Sequence, residues 1–216
     1  MRALILSDIH GSADAARKAL AHFERLHCDK IFLLGDILYH GPRNPLPEGH
    51  GPMGVVEALR PYGDKIVAVR GNCDADVDLM MLDFVKIENE YAVVEDQVTD
   101  AASKQKTIRL FLSHGHIFMP ECFPANALDQ LEPAASSNSA DQAQGRTIDA
   151  YLYGHTHIYQ LQKNFKGVLM VNPGSTSLPK GGNPATFGLY DSTPANENGP
   201  KFSIHELETG KLLQQV

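Results

Sequence analysis

Two histidines one residue apart, His155 and His157, lie where the apolar segment YLY gives way to a loop in the string YLYGHTHIYQ. On an extended chain, side chains two residues apart point to the same face, so both imidazoles can reach one object while Thr156 points away. Imidazole is the commonest metal ligand in proteins. A chain with 10 histidines can also contain such a pair by chance. The pair therefore indicates a metal ion only if other ligands converge on it.

Four further clusters of oxygen and nitrogen donors each follow an apolar run. They are SDIHG with Asp8 and His10, GDILYHG with Asp36, GNCD with Asn72, and SHGH with His114. Taken singly, each cluster is also typical of a turn. In open α/β sheets, however, ligands bind at the carboxyl ends of the strands, where five such loops can meet in one crevice. Together the clusters predict a metal site.

The elements that must position these clusters follow from hydrophobic periodicity. Short apolar runs predict buried strands, namely ALIL, IFLL, KIVAV, IRLFL, AYLY and VLMV. Helical spacing predicts a helix between Ser12 and His27, with Ser12 or Asp14 as its N-cap. A second helix is expected over Gly54–Leu59, ended by Pro61. This alternation of strand and helix is typical of parallel βαβ units.

The later half of the chain predicts antiparallel pairing. YAVVEDQV and KTIRLFLSH are typical of a hairpin, and NFKGVLMVNPG, ATFGLYDS and KFSIHEL of further antiparallel strands. Either one mixed sheet or two packed sheets with helices outside would result. Two polar segments, 132–145 and 193–200, are expected to be an exposed insertion and a long turn. Residues 1–216 are expected to form one domain.

Composition argues against several classes of protein. The hydrophobic fraction is 43%, and no apolar run approaches the roughly 20 residues of a membrane-spanning helix. A net charge of −7 without a Lys/Arg run argues against binding to a nucleic-acid backbone. Three scattered cysteines argue against a disulfide framework and a thiolate zinc site. The opening MRALILSDIHG is typical of a strand rather than a signal peptide, so a cytoplasmic location is expected.

In order and spacing, these motifs resemble the calcineurin-like metallophosphoesterase superfamily. The strings GDILYHGPRNPLPEG, AVRGNCD, YGHTH and NPGSTSLPKGGNPA are similar to those of the YfcE-type group of bacterial phosphodiesterases. The resemblance implies an αββα four-layer sandwich of two mixed β-sheets flanked by helices. It also implies two divalent metal ions, commonly manganese, and hydrolysis of a small phosphodiester by a metal-bridging hydroxide. Relatives often form dimers or larger assemblies, so a homo-oligomer is expected.

Carried over position by position, the resemblance assigns a ligand to every cluster. One ion would be held by Asp8, His10 and His157, the other by Asn72, His114 and His155, with Asp36 as the bridge. Carboxylate, imidazole and amide donors suit Mn, Fe, Zn or Ni. Two such ions, roughly 3.5 to 4 Å apart, can clamp the attacking and leaving oxygens of an in-line displacement. Phosphate ester hydrolysis is the reaction that this arrangement serves.

Several further residues are predicted near the centre. Many superfamily members have a histidine where this chain has Cys73, and a thiol carries no positive charge with which to stabilise a transition state. Cys73 is therefore either a weak acid or a small apolar filler. Asp74 is expected to orient Asn72 or a ligand histidine. The predicted catalytic residues are thus Asp36, Asn72, Cys73, Asp74 and His116. Substrate contacts are predicted for His40, Arg43 and Asn44, whose loop can equally serve an interface.

Two other functions stay open at this point. The retromer subunit with this fold resembles the same family and serves mainly in protein interaction, so the chain can be a non-catalytic scaffold. The complete ligand set argues against that role. A phosphomonoesterase is the other alternative, which Cys73 and the short chain disfavour. A direct comparison of diester and monoester turnover separates these hypotheses.

Overall fold

Two β-sheets carry the fold. The computed structural model describes residues 1–88, 90–99, 105–131, 147–193 and 199–216, in which twelve strands form a seven-stranded and a five-stranded sheet. The predicted insertion at 132–145 and residues 194–198 of the predicted turn lie outside the described residues. Among the helices that are described, none is both long and apolar enough to cross a membrane. That residues 1–216 form one domain stays a prediction.

The seven-stranded sheet contains the parallel strands that the βαβ pattern predicts. Its parallel part is β1 (Arg2–Leu6), β2 (Lys30–Leu33), β3 (Ile66–Val69) and β4 (Ile87–Glu88). Its antiparallel part is β10 (Thr186–Asp191), β11 (Lys201–Glu206) and β12 (Leu212–Gln215). Because β10 pairs with β1, the strand order is β12-β11-β10-β1-β2-β3-β4.

The five-stranded sheet begins with the predicted hairpin, which is confirmed. Its strands are β5 (Tyr91–Thr99), β6 (Gln105–Ser113), β7 (Ala150–Leu152), β8 (Gln160–Lys163) and β9 (Leu169–Asn172), in the order β5-β6-β7-β9-β8. The VLMV segment differs from its prediction as an antiparallel strand. It forms β9, which pairs parallel to β7 and antiparallel to β8. The hairpin of β8 and β9 folds back so that β9, not β8, lies beside β7.

The longest helix begins and ends close to its predicted limits. The helix α1 (Ala13–Arg25) has Ser12 as its N-cap, because the Ser12 hydroxyl accepts a hydrogen bond from the Ala15 amide. The helix α2 (Pro52–Leu59) starts two residues before the predicted Gly54, since proline fits the first turn of a helix. Pro61 does not stop the helical path, which continues as a 3₁₀ helix over Arg60–Lys65.

Three hydrophobic clusters, one between each pair of neighbouring layers, confirm the sandwich of helices, sheet, sheet and helices. The strand β1 is apolar throughout because both faces are covered: Leu4 and Leu6 pack with α1 and α2, while Ala3 and Ile5 face the other sheet. On the outer face of the second sheet, Phe111 and Tyr151 pack against residues of the short α4 (Ala127–Leu131) and of the segment before it. The outer helical layer is therefore substantial on one side and thin on the other. One further short helix, α3 (Asp76–Met81), follows β3.

Candidate metal centre

The five predicted clusters meet where the two sheets present the carboxyl ends of their strands. Asp8, Asp36 and Asn72 follow β1, β2 and β3 of the first sheet, whereas His114 and His155 follow β6 and β7 of the second. Hydrogen bonds tie the clusters to one another: the His155 amide donates to Asp8 Oδ2 at 3.0 Å, and the Asp8 amide donates to the Gly35 carbonyl at 3.2 Å. Strand topology therefore brings donors from distant parts of the sequence together.

The backbone at this centre is left-handed at most ligand positions. Positive φ angles of 54°, 49°, 54°, 68° and 60° occur at Asp8, His10, Asp36, His155 and His157. The explanation of the His155 and His157 pair by an extended chain is therefore wrong, because β7 has ended and the backbone turns. Left-handed conformations cost non-glycine residues roughly 1 to 3 kcal/mol each, and cluster where a site requires them.

The buried carboxylate of Asp8 has one oxygen that makes no hydrogen bond with any residue that the structure describes. Its Oδ2 accepts hydrogen bonds from the Ser7 hydroxyl at 2.7 Å and from the His155 amide. Its Oδ1 is buried and accepts no hydrogen bond from the described residues, while Nε2 of His157 and of His10 lie 3.3 and 3.6 Å away. A buried ionised oxygen without a partner is costly. A cation at this position would satisfy it.

Three buried imidazoles are oriented with their Nε2 atoms toward the same point. Nδ1 of His10, His114 and His157 lies 2.8, 2.6 and 2.6 Å from the carbonyl oxygens of Tyr39, Leu34 and Leu178. A carbonyl only accepts hydrogen bonds, so each Nδ1 must donate, and a neutral ring then keeps its lone pair on Nε2. The Nε2 atoms of His10 and His157 are only 3.3 Å apart. Histidines that hold a metal are typically fixed in this way.

Asp36 lies between the two predicted ligand sets. Its Oδ2 is 3.7 Å from His10 Nε2 and 3.4 Å from His114 Nε2, and its Oδ1 accepts the Cys73 amide at 2.8 Å. Asn72 Oδ1 lies 3.1 Å from His114 Nε2. Two groups of donors that could each hold a metal ion, Asp8, His10 and His157 on one side and Asp8, Asp36 and His114 on the other, therefore lie side by side.

The two ligand histidines on the loop after β7 take different places. The His157 ring lies 5.0 Å from that of His10, whereas the His155 ring lies 5.2 Å from that of His114, between ring centroids. His157 is buried and His155 is exposed. His155 and His157 therefore lie beside different imidazoles, and the assignment of one histidine to each ion stays a prediction.

The carboxylates and imidazoles of the centre shift one another's pKa values. Burial raises the pKa values of Asp8 and Asp36, but the surrounding imidazoles lower them more, so both carboxylates are ionised at neutral pH. Burial lowers the pKa of His114, yet Asp36 and Asp8 raise it more, to about 9. Burial lowers the pKa values of His155 and His157. Ion binding at His114 must therefore displace a proton.

Asp74 holds the loop that carries Asp36. Its Oδ2 accepts the amides of Asp36 at 2.8 Å and Gly71 at 2.7 Å, and its Oδ1 accepts the Ile37 amide at 2.8 Å. The sequence predicts that Asp74 orients Asn72 or a histidine, but its hydrogen bonds instead fix the backbone around Asp36. Asp74 thus positions the segment that carries the Asp36 carboxylate.

Cys73 and His116 lie at the edge of the ligand set. The Cys73 thiol is half-buried and accepts a hydrogen bond from Asn72 Nδ2 at 3.2 Å. Burial and the neighbouring Asp36 raise its pKa to about 12. The exposed His116 ring lies 5.4 Å from that of His114, and burial of part of the ring together with the charge of His114 lowers its pKa.

A cleft of about 830 Å³ opens beside the ligands. Arg43 and Asn44 line it as predicted, together with Asp36, Asn72 and Cys73. The His40 ring instead packs against His50, with ring centroids 5.6 Å apart. Tyr39 and Lys180 also line the cleft, and the sequence did not identify either of them as a site residue. The only signal for Lys180 was its place in the string NPGSTSLPKGGNPA, which carries part of the family resemblance.

Known proteins share this fold and its motifs. A family model described as the calcineurin-like phosphoesterase superfamily domain matches residues 1–194. The chain is 39% identical over 193 residues to phosphodiesterase YfcE of Escherichia coli. These aligned residues cover 89% of this chain and 88% of that protein. It is also similar to the solved structure of YfcE, a phosphoesterase from E. coli, at a TM-score of 0.77 and 36% identity, covering 100% of this chain and 98% of that chain. Vps29 of Entamoeba histolytica, solved with zinc, shares the fold at a TM-score of 0.58 and 18% identity, covering 100% of this chain and 98% of that one.

Proposed function

The chain belongs to the calcineurin-like phosphoesterase superfamily, and we propose that it is a metal-dependent phosphodiesterase acting on a small phosphodiester. One observation carries the metal dependence: the buried Asp8 Oδ1 has no hydrogen-bond partner among the described residues and is faced by the Nε2 atoms of His10 and His157. Diester cleavage is supported by the likeness to YfcE, which is named a phosphodiesterase.

The ligands would hold two divalent ions. Asp8, His10 and His157 would bind one ion, Asn72, His114 and His155 the other, and Asp36 both. Such ions lower the pKa of water and stabilise charge on the attacking and leaving oxygens of an in-line displacement. Manganese is the proposed ion, and the donor set also suits zinc, iron and nickel.

The protein's own contribution is rigid placement of these donors. Three backbone carbonyls hold the Nδ1 protons of His10, His114 and His157, so that their Nε2 atoms stay turned inward. Asp74 fixes the amides around Asp36. Positioning of this kind removes reorganisation at the moment of reaction. Cys73 brings no positive charge to the leaving oxygen, which favours diesters with good leaving groups over monoesters.

The test is hydrolysis of bis(p-nitrophenyl) phosphate by chelator-stripped protein, before and after manganese is added, with p-nitrophenyl phosphate alongside. We expect diester turnover only with the ion, and loss of at least about a hundredfold in Asp36→Asn, since its ligand carboxylate is neutralised. The matched control is Asp191→Asn, which neutralises a carboxylate at the end of β10 that pairs with Arg2 at the start of β1. Cleavage of neither ester with any divalent ion would overturn the proposal and favour a non-catalytic scaffold. Faster cleavage of the monoester would assign a phosphomonoesterase.

Two further expectations rest on sequence and resemblance. We propose that the chain works in the cytoplasm and forms a homo-oligomer. Analytical ultracentrifugation of the manganese-loaded protein measures the second, and a mass equal to the 23.6 kDa monomer at micromolar concentration would refute it.

A further inference from the structure

The cleft beside the metal centre is lined by three cationic side chains, although the whole chain has a net charge of −7. They are Arg43, Arg70 and Lys180. Arg70 is already engaged: its Nε donates to the Asp74 carbonyl at 2.8 Å, and its guanidinium lies 3.0 Å from Asp76. Arg43 and Lys180 therefore carry the charge that remains to be explained.

Arg43 differs from the other arginines that the structure describes. Each of the others pairs with or donates to a protein acceptor, and these are Arg2, Arg17, Arg25, Arg60, Arg70 and Arg109. Arg43 makes no side-chain hydrogen bond or ion pair with any described residue, and its side chain is exposed at the cleft. A guanidinium presents five donors in a planar fork that matches carboxylate and phosphate oxygens.

The loop that carries Arg43 is closed and packed. The Asn44 side-chain amide donates to the His40 carbonyl at 2.8 Å, which ties the two sides of the loop together. Gly41 has a φ of +80°, and a Cβ there would lie 3.0 Å from Cys73 Sγ, so the loop lies directly against the metal-site segment. Arg43 is thus held beside the centre by a preorganised backbone.

Lys180 lies in the C-terminal half of the chain, and a backbone hydrogen bond holds it beside the proposed metal centre. Its amide donates to the carbonyl of the ligand His157 at 3.0 Å, and its own carbonyl accepts the Asn183 side-chain amide at 2.8 Å. Lys180 and His157 line the same cleft. No described carboxylate pairs with it.

The two carboxylates that line the cleft have other roles and do not neutralise Arg43 or Lys180. Asp36 belongs to the ligand set, and Asp74 accepts three backbone amides. A diester phosphate carries a single negative charge, and the ions would take that charge. Arg43 and Lys180 would still have no counter-charge among the described residues, in a cleft whose volume of about 830 Å³ exceeds what a phosphate needs.

We propose that Arg43 and Lys180 bind a second anionic group, a phosphate or a carboxylate, on one alcohol of the substrate diester. This inference rests on the proposed function and narrows it. The substrate class would be diesters that carry at least one further negative charge beside the bond that is cleaved. The two residues would set specificity, whereas the ligand set performs the reaction.

Two chromogenic diesters test this inference on the manganese-loaded protein. One is thymidine 5′-(p-nitrophenyl phosphate), and the other carries an added 3′-phosphate, so that the leaving group and the cleaved bond are the same. We expect kcat/KM to be about fivefold higher for the 3′-phosphorylated diester, the effect of roughly one exposed ion pair. Arg43→Met and Lys180→Met should each remove most of that preference, through KM rather than kcat. Arg17→Met is the control, since Arg17 is also an exposed arginine and lies on α1, away from the cleft lining.

The outcomes separate the two proposals. Equal kcat/KM for both diesters in the wild-type protein would overturn the second-anion inference and leave the phosphodiesterase intact. An equal loss on both diesters in the two variants would mean that Arg43 and Lys180 bind the cleaved phosphate itself, which also overturns it. Cleavage of neither diester would refute the proposed function and this inference with it. Thermal unfolding of each variant shows that the fold is retained.

Discussion

Gly154 is the position at which a single methyl group should damage the metal centre most directly. It precedes the proposed ligand His155, two residues after the end of β7, where the chain packs against the proposed ligand Asp8. A Cβ at Gly154 would overlap Ser7 Oγ and lie 2.8 Å from Asp8 Oδ2. Both side chains are buried, so neither can swing into solvent to relieve the overlap.

The cost of Gly154→Ala follows from these contacts. Overpacking a tightly filled interior costs about 1 to 3 kcal/mol. Displacement of Ser7 also breaks its 2.7 Å hydrogen bond to the Asp8 carboxylate, and a bond to a charged group contributes about 1.5 to 3 kcal/mol. We therefore expect the free energy of unfolding to fall by about 3 to 5 kcal/mol. Manganese affinity should fall as well, because Asp8 is moved away from His10 and His157.

Urea denaturation followed by circular dichroism measures the stability, and titration calorimetry measures manganese binding. Gly51→Ala is the matched control, because a Cβ at Gly51 meets only Ala13 at 4.0 Å and its φ lies outside the left-handed region. If Gly154→Ala were as stable as Gly51→Ala and bound manganese equally well, the close packing of this loop on Asp8 would be refuted.

Three further predictions concern the centre and its supports. Asp74→Asn replaces one of the two accepting oxygens of Asp74 by an NH₂ donor that faces a backbone amide. We therefore expect the free energy of unfolding to fall by about 2 kcal/mol and the manganese affinity to fall about tenfold. Wild-type values for both quantities would contradict the hydrogen bonds assigned to Asp74. Chelation should lower the thermal midpoint by about 10 °C or more, since two ions at a hundred times their Kd contribute about 5 kcal/mol; an unchanged midpoint would contradict a metal site. Burial raises the pKa of Asp191, but Thr193 and Arg2 lower it more, to below the ordinary 3.8. Its stabilisation is thus present above pH 3.8 and lost as the pH falls through the folded pKa, and after screening it is under about 1 kcal/mol. The gap in unfolding free energy between wild type and Asp191→Asn should close in acid, and a constant gap from pH 7 to pH 2.5 would refute this account.

Local sequence predicted the elements of this fold well. The alternation of apolar runs with helical spacing identified the parallel strands, and side-chain chemistry within one turn limited the N-cap to Ser12 or Asp14, of which the structure uses Ser12. The hairpin of β5 and β6 was equally evident. The parallel pairing of β9 with β7 was not, because pairing depends on which strands meet across the sheet.

The sequence likewise predicted one part of the candidate site and not another. Residue types at strand ends predicted every proposed ligand, since each motif is a few residues long and follows its own strand. The support of those ligands could not be predicted. His114 donates to Leu34, which lies 80 residues away, and His157 donates to Leu178. The left-handed backbone at His155 also contradicts what local spacing suggested.

The sequence by itself thus determined which donors exist and that each lies at the end of a strand. Only the tertiary structure decided that Asp8 Oδ1 is left without a hydrogen-bond partner among the described residues, that Asp36 lies between two imidazoles, and that Arg43 and Lys180 line one cleft. The physical reason is the distance along the sequence over which each kind of interaction acts. Periodicity and turn chemistry act within a few residues, whereas burial, charge and ligand geometry arise where two sheets pack and residues far apart in sequence come into contact.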